Sequence, residues 1–466
     1  MLDDYLRRIL RARVYGAAVE TKLEKAEILS GRIGNTLLFK REDQQTTRSF
    51  KMRGAFNKIA GMTPEKQAIG VITASSGNHA QGVAYGARVA GCRAVIVMPT
   101  SAPALKVNAV RALGGEVVIH GTNFTESLQH GLELAETEGL TFVHPFDDPD
   151  VIAGQGTIGM EILRQHDRPI EAVFVAIGGG GMIAGIGAYI KAVRPEIRIV
   201  GVHAEGSEAM RISVETGERV MLPQVSLFAD GVAVSQVGVE TLRVAKEVVD
   251  EYMTIGTDAM CTTMREVFDE NRAILEPSAA LTVAAAKDYA AREGLKEKTL
   301  VAVLCGSNMN FDRLGFVVER SHVGEHREAI LGITVPRGPG ALAKFIAAIG
   351  EHRFSELSFR DCAEPEARVF AGVYVNGRED ADATIAALEA AGYGVTDLSD
   401  NELAKAHLRH FAGGRSTKPD ERALFRDELL FRLDFMETPR AFSTFLDSLP
   451  TDWTVTAFHY RNHGAD

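Results

Sequence analysis

Cysteine is scarce in this chain: Cys92, Cys261, Cys305 and Cys362 are the four in 466 residues, and they stand far apart with no paired spacing. That pattern excludes a disulfide framework and a zinc site built on cysteine pairs, and it fits a reducing compartment. Positive charge is also in deficit. Lys and Arg number 51 against 62 Asp and Glu, a net charge of −11 with a pI near 5.7. No basic surface is available to neutralise phosphates, so neither DNA nor RNA is expected as a main partner. No apolar run is long enough to cross a bilayer, and Met1-Leu2-Asp3-Asp4-Tyr5 lacks the basic-then-apolar pattern of a secretory leader. The expectation is a cytoplasmic protein that handles small molecules and no membrane.

What is present is an ordinary globular composition, 45% apolar and 24% charged, with length for two to four domains. Tyr5, Ile9, Leu10 and Val14 have roughly helical spacing and predict a short opening helix. β-Branched runs then alternate with glycine-rich or polar loops and helical segments. The strand candidates are Gly70–Thr73, Ala94–Val97, Glu116–Ile119, Val173–Ala176, Ile197–Val200 and Leu300–Val303. Such strands predict an α/β region with a parallel sheet covered on both faces, over residues 1–325, whose ligands bind at the carboxyl ends of the strands. From residue 326 to about 400 the pattern changes to βαββαβ, an α+β ferredoxin-like unit. A connector at 401–420 leads to a second strand-helix-strand series at 421–466, expected to be an incomplete copy because it stops at Asp466.

Four segments carry chemical character. In Arg48-Ser49-Phe50-Lys51-Met52-Arg53-Gly54 one lysine stands between two large apolar residues. Burial disfavours the ammonium form and makes such an amine nucleophilic, although a surface lysine snorkelling past its neighbours would read the same. Ser75-Ser76-Gly77-Asn78-His79 follows a strand and opens a helix, where backbone N–H groups attract an anion such as a carboxylate. An ordinary Ser/Asn helix cap is the plainer reading. Gly178-Gly179-Gly180-Gly181-Met182 again joins strand to helix, and its four successive glycines lack β-carbons, so the backbone can wrap a phosphate. It also fits a dinucleotide pattern through Gly179, Gly181 and Ala184 with Glu205, which defines a rival nicotinamide-dependent dehydrogenase. In Leu304-Cys305-Gly306-Ser307-Asn308, Cys305 or Ser307 is a candidate neutral partner for a ring nitrogen, while a lone buried cysteine is otherwise a small apolar filler.

Taken together, these segments resemble the serine/threonine dehydratases of the tryptophan-synthase-β-like pyridoxal phosphate enzymes. The tail, in Asp397–Lys405, Gly413-Gly414-Arg415 and Phe458–Asp466, resembles the regulatory region of the biosynthetic threonine dehydratases. The resemblance implies a two-lobed fold type II enzyme, with a smaller lobe at roughly 45–150, followed by ACT-like regulatory units. It implies pyridoxal phosphate on Lys51, which also moves protons, with Phe50 stacked near the cofactor ring and Asn78 bonded to the ring hydroxyl. Gly178, Gly179, Gly180, Gly181 and Met182 would hold the phosphate. Ser75, Ser76, Gly77, Asn78 and His79 would take the substrate carboxylate. Cys305 falls where many relatives place a serine facing the pyridine nitrogen.

The implied reaction converts L-threonine to 2-oxobutanoate and ammonia, and L-serine to pyruvate, opening isoleucine biosynthesis. Isoleucine and valine are the implied effectors and a homotetramer the implied assembly, with isoleucine inhibition weakened by the shortened second unit. Serine racemases of this superfamily use a serine at the Ser76 position as a second-face acid/base, so racemisation is one alternative. A catalytically silent amino-acid sensor is another. No metal is expected, because Asp230 is accompanied by Ser226 where an acidic ligand would be wanted. Glu276-Pro277-Ser278 is either support near the cofactor or a plain helix start.

Overall fold

The computed structural model describes residues 2–324, 327–336, 345, 348–350, 352, 354–360 and 366–401. It divides into two compact units, one ending at Arg313 and one beginning at Leu314.

Ten strands form two sheets in the first unit. In chain order they are β1 (Leu23–Lys25), β2 (Thr36–Lys40), β3 (Val71–Ala74), β4 (Ala94–Met98), β5 (Glu116–Ile119), β6 (Thr141–Phe142), β7 (Ala172–Ala176), β8 (Arg198–Ala204), β9 (Glu251–Ile255) and β10 (Thr299–Val303). The larger sheet has the order β1-β2-β10-β7-β8-β9 and is parallel except for antiparallel β1. The smaller, β5-β4-β3-β6, is parallel throughout. Every side chain of β3, β4 and β7 is buried, as expected of strands covered by helices on both faces. These two sheets are the two lobes expected from the sequence.

Four strands escaped the sequence reading, each for a local reason. β1 has three residues and β6 only two, and β9 is partly exposed along most of its length. β2 ends on Lys40, a fully buried cation that interrupts the apolar run.

Glycines set how closely the helices beside the smaller sheet approach. The helix Lys51–Ala60 packs on Pro149–Gln165 and on Asn78–Ala90. A β-carbon on Gly154 would lie 2.6 Å from the Gly54 Cα, and one on Gly82 would lie 3.0 Å from the Met52 nitrogen. Alanine at Gly154 would therefore force the two helices apart.

The second unit contains β11 (Glu328–Pro336), β12 (Phe354–Arg360), β13 (Glu366–Tyr374), the helix Arg378–Ala390 and β14 (Gly394–Asp397). All pairings are antiparallel in the order β12-β13-β11-β14, the ferredoxin-like arrangement. Residues 345 and 348–349, between β11 and β12, are helical. Leu331, Ile333, Phe345, Val373 and Leu388 form the heart of its core. The connector expected at 401–420, except Asn401, and the second regulatory unit expected at 421–466 lie outside the described residues. Among the described residues, no helix is long and apolar enough to cross a membrane.

Candidate active site

Lys51 is the first residue of its helix, with Phe50 at the cap position. The Phe50 N–H donates to the Cys305 carbonyl at 3.1 Å, which ties the lysine to the chain leaving β10. The Lys51 amine donates to the Pro145 carbonyl at 2.9 Å and lies 5.4 Å from the centre of the Phe50 ring. Burial pushes its pKa down to about 8, against a partial pull upward from Cys305 and Glu276. At neutral pH this amine is far easier to deprotonate than a surface lysine.

Ser75, Ser76 and Gly77 form the half-buried turn between β3 and the helix Asn78–Ala90. The Gly77 N–H donates to the Ser75 hydroxyl at 3.3 Å. The Asn78 amide donates to both oxygens of Glu276, at 3.1 and 3.0 Å, and its carbonyl accepts from the Asn308 amide at 2.7 Å. His79 points inward, with Nε2 2.9 Å from the Val143 carbonyl. Burial, reinforced by the charge of Lys51, pushes its pKa down to about 3, so the ring is neutral. Of the residues expected to take a carboxylate, His79 has its side chain turned away onto the Val143 carbonyl.

Glu276 is the hub of this region. Besides Asn78 it accepts from the Ser278 hydroxyl at 2.7 Å and the Asn308 N–H at 3.3 Å, and the Cys305 sulfur lies 3.8 Å from both Glu276 Oε1 and the Ser278 hydroxyl. Burial raises the Glu276 pKa, and burial with the adjacent Glu276 charge raises that of the Cys305 thiol, which is therefore neutral. Gly306 is required here because a β-carbon would stand 2.8 Å from the Glu276 carboxylate.

The glycine loop spans the gap between β7 and the helix Gly181–Val193. Gly180 has φ of +97°, and a β-carbon on it would meet the Met210 methyl at 2.5 Å. One on Gly179 would enter the Phe146 ring at 2.2 Å, and one on Gly178 would reach Val232 at 3.0 Å. Met182 is buried in the first turn of the helix, so only its backbone can face an anion. The loop is pinned from behind by the Thr241 hydroxyl, which donates to the Gly179 carbonyl at 2.7 Å. Asp147 accepts from the N–H groups of Val239, Glu240 and Thr241 at 2.8 to 3.2 Å. The segment Pro145-Phe146-Asp147 thus touches Lys51, the glycine loop and a capped helix in three consecutive residues.

These groups fit pyridoxal phosphate. A bare-backbone turn runs into a helix N-terminus that suits a phosphate, a desolvated amine is available for its aldehyde, and a neutral thiol is buried near that amine. The Ser49 hydroxyl and the His79 Nδ1 are buried beside Lys51 and Asn78 without a partner. Sequence reasoning missed Pro145, Phe146, Asp147 and Asn308. Glu276-Pro277-Ser278 starts a helix at Pro277, and the Glu276 carboxylate turns onto Asn78 and Ser278. Asp230 faces Lys106 at 3.4 Å and Arg313 at 3.8 Å, and no cluster of three or more potential metal ligands occurs among the described residues.

Two family models match the chain: pyridoxal-phosphate dependent enzyme over residues 14–306, and C-terminal regulatory domain of threonine dehydratase over 319–408 and 421–466. The biosynthetic L-threonine dehydratase IlvA of Burkholderia multivorans is 51% identical over 99% of this chain and 91% of its own length. The chloroplastic biosynthetic threonine dehydratase of Arabidopsis thaliana is 45% identical over 99% of this chain and 77% of its own length. Among solved structures, the processed form of threonine deaminase isoform 2 from Solanum lycopersicum matches with a TM-score of 0.68 at 46% identity, covering 69% of this chain and 93% of that one. With Lys51, the glycine loop and the Asn78–Glu276–Cys305 cluster already in place, these matches leave no room for a nicotinamide-dependent dehydrogenase, and the chain belongs to the pyridoxal phosphate-dependent biosynthetic threonine dehydratases.

Proposed function

We propose that this protein converts L-threonine to 2-oxobutanoate and ammonia, with L-serine as a second substrate giving pyruvate. The observation that carries the reading is the desolvated Lys51 amine, held 2.9 Å from the Pro145 carbonyl beside a four-glycine turn. Pyridoxal phosphate, when bound, withdraws electron density from the α-carbon of an amino acid.

The chain's own residues supply the rest. Lys51 would hold the cofactor, and its amine, when neutral, would take the α-proton. The backbone N–H groups of Gly178 to Met182 bind the phosphate. Ser75, Ser76, Gly77 and the N–H groups of Asn78 and His79 orient the substrate carboxylate at the start of a helix. Phe50 would pack near the ring, and Asn78, held by Glu276 and Asn308, would have to release a hydrogen bond to reach the ring hydroxyl, while Cys305 would offer the ring a neutral thiol. A neutral group there favours prompt departure of the β-hydroxyl over reprotonation at the α-carbon.

Residues 1–325 form the catalytic domain and the ferredoxin-like unit after it the regulatory domain, with isoleucine and valine as its effectors. The protein works in the cytoplasm as a homotetramer. The direct test is a visible spectrum of the purified protein followed by L-threonine, beside Lys51→Ala. A cofactor band and 2-oxobutanoate from the parent are expected, with activity reduced at least about a thousandfold in the variant. A colourless parent that stays inactive with added pyridoxal phosphate would favour a sensor instead.

A further inference from the structure

Two residues beyond Lys51, four charged side chains with 0% exposure form one cluster: Lys40, Glu42, Arg53 and Glu161. Arg53 grips both carboxylates in two-pronged fashion. Its Nε and Nη2 lie 2.7 Å from the two Glu42 oxygens, and its Nη1 and Nη2 lie 2.6 and 2.9 Å from those of Glu161. The Lys40 amine donates to Glu161 at 2.6 Å and to the Thr21 carbonyl at 2.7 Å. Thr21, Gln45, Thr157 and Tyr15 complete the ring of hydrogen bonds at 2.5 to 3.2 Å. Two cations meet two anions, so the cluster is neutral as a whole.

Its members come from the elements that hold Lys51. Arg53 is in the first turn of the lysine's own helix. Glu161 is on the helix Pro149–Gln165, which begins just after Pro145, the residue whose carbonyl receives the Lys51 amine. Lys40 and Glu42 lie at the end of β2 in the larger sheet. Desolvating four charges is costly, and apolar residues would fill the same volume at equal or greater stability. What apolar packing would lack is orientation, because a planar guanidinium forked onto two carboxylates fixes the rotation of one helix against another.

We propose that Arg53, Glu42, Glu161 and Lys40 act as a positioning device that sets the Lys51 amine against the Pro145 carbonyl. The inference rests on Lys51 being the cofactor lysine.

The test uses the full chain freed of cofactor. The rate of covalent attachment of pyridoxal phosphate to Lys51, trapped with borohydride and mapped by peptide, is followed against pH. The titratable groups facing this amine are Cys305 after β10, Glu276 at the start of the helix Pro277–Arg292, His79 from the helix Asn78–Ala90 and His144 just after β6. None is altered by the variants. Arg53→Met with Glu42→Gln removes one cation and one anion and leaves the Lys40–Glu161 pair balanced, while Arg53→Lys keeps the charge and loses the fork.

In both variants the pH midpoint of attachment is expected to move up by about one unit as the amine gains water, and kcat to fall at least about tenfold with KM little changed. Folded variants with a midpoint within about 0.3 unit and kcat within about twofold of the parent would overturn the proposal, as would failure of both to fold. A label mapped to another lysine in the parent would instead overturn the reading of Lys51.

Discussion

Glu276 and Glu42 are both buried carboxylates close to Lys51, and their protonation behaviour is opposite. The hydrogen-bond partners of Glu276 are neutral, namely the Asn78 amide, the Ser278 hydroxyl, the Asn308 N–H and the Cys305 thiol, and burial, aided by the charge of Asp230, raises its pKa. Burial would push Glu42 up as well, but Arg53 lies 2.7 Å from each of its oxygens and holds it below the ordinary carboxylate range. Desolvation sets the size of the problem, and the charge of the partner decides its sign. Glu276 is thus held by neutral donors, and its proton can be gained or lost without breaking an ion pair. The region behind Lys51 is built from permanent charges that hold their protonation and orient helices.

The sharpest way to break this contrast is to remove the cation. Arg53→Met alone leaves Glu42 and Glu161 buried with only Lys40 between them, and should cost about 3–5 kcal/mol of folding stability. Chemical denaturation checks this through the transition midpoint. A loss below about 1 kcal/mol would mean that water reaches the cluster and that Glu42 is no more constrained than a surface carboxylate. Converting Glu42 into an anion without its guanidinium should also raise its pKa, making it resemble Glu276.

Much of the candidate site was readable as strand-to-helix turns in the sequence because its parts are contiguous. Lys51 with its apolar neighbours, the turn from Ser75 to His79 and the run Gly178 to Gly181 each carry their meaning within a few residues, and each lies where a strand gives way to a helix. The supporting charges were not legible. Asn78 finds Glu276 across 198 residues and Asn308 across 230, and nothing local in either partner records the meeting. Lys40 concealed β2 by ending an apolar run, since a charged residue on a central strand reads as a loop until its partner Glu161 is known. The ferredoxin-like unit was legible through its strand order and the helix Arg378–Ala390.

A smaller effect sharpens the comparison through pH. The stability that Glu42 contributes is present above its unfolded pKa of roughly 4.3 and lost as pH falls through its lowered folded value. The advantage of the parent over Glu42→Gln should therefore shrink on acidification below about pH 5. Glu276 has the reverse linkage. Its folded state holds the proton more tightly, so the parent loses stability as pH rises from the ordinary carboxylate value to the raised folded one, and is level beyond it. Glu276→Gln should then compare more favourably with the parent at pH 7 than at pH 4, whatever its absolute cost in hydrogen bonds. Parallel slopes for the two variants would show that charge pairing does not separate the sites.

The smallest change expected is from Cys305→Ser. The thiol is neutral and its sulfur lies 3.8 Å from both Glu276 and Ser278, so it makes long, weak contacts on the neutral side of the site. A hydroxyl preserves neutrality and is a stronger donor on a shorter bond, able to bond either the carboxylate or the cofactor's ring nitrogen. If neutrality is what this face requires, the rate with L-threonine should stay within about fivefold of the parent, the equivalent of ~1 kcal/mol. The absorption band of the bound cofactor should then shift only slightly. A loss of a hundredfold or more, about 2.7 kcal/mol, would show instead that Cys305 is chosen for its weak donation, leaving Glu276 to govern the proton at the ring.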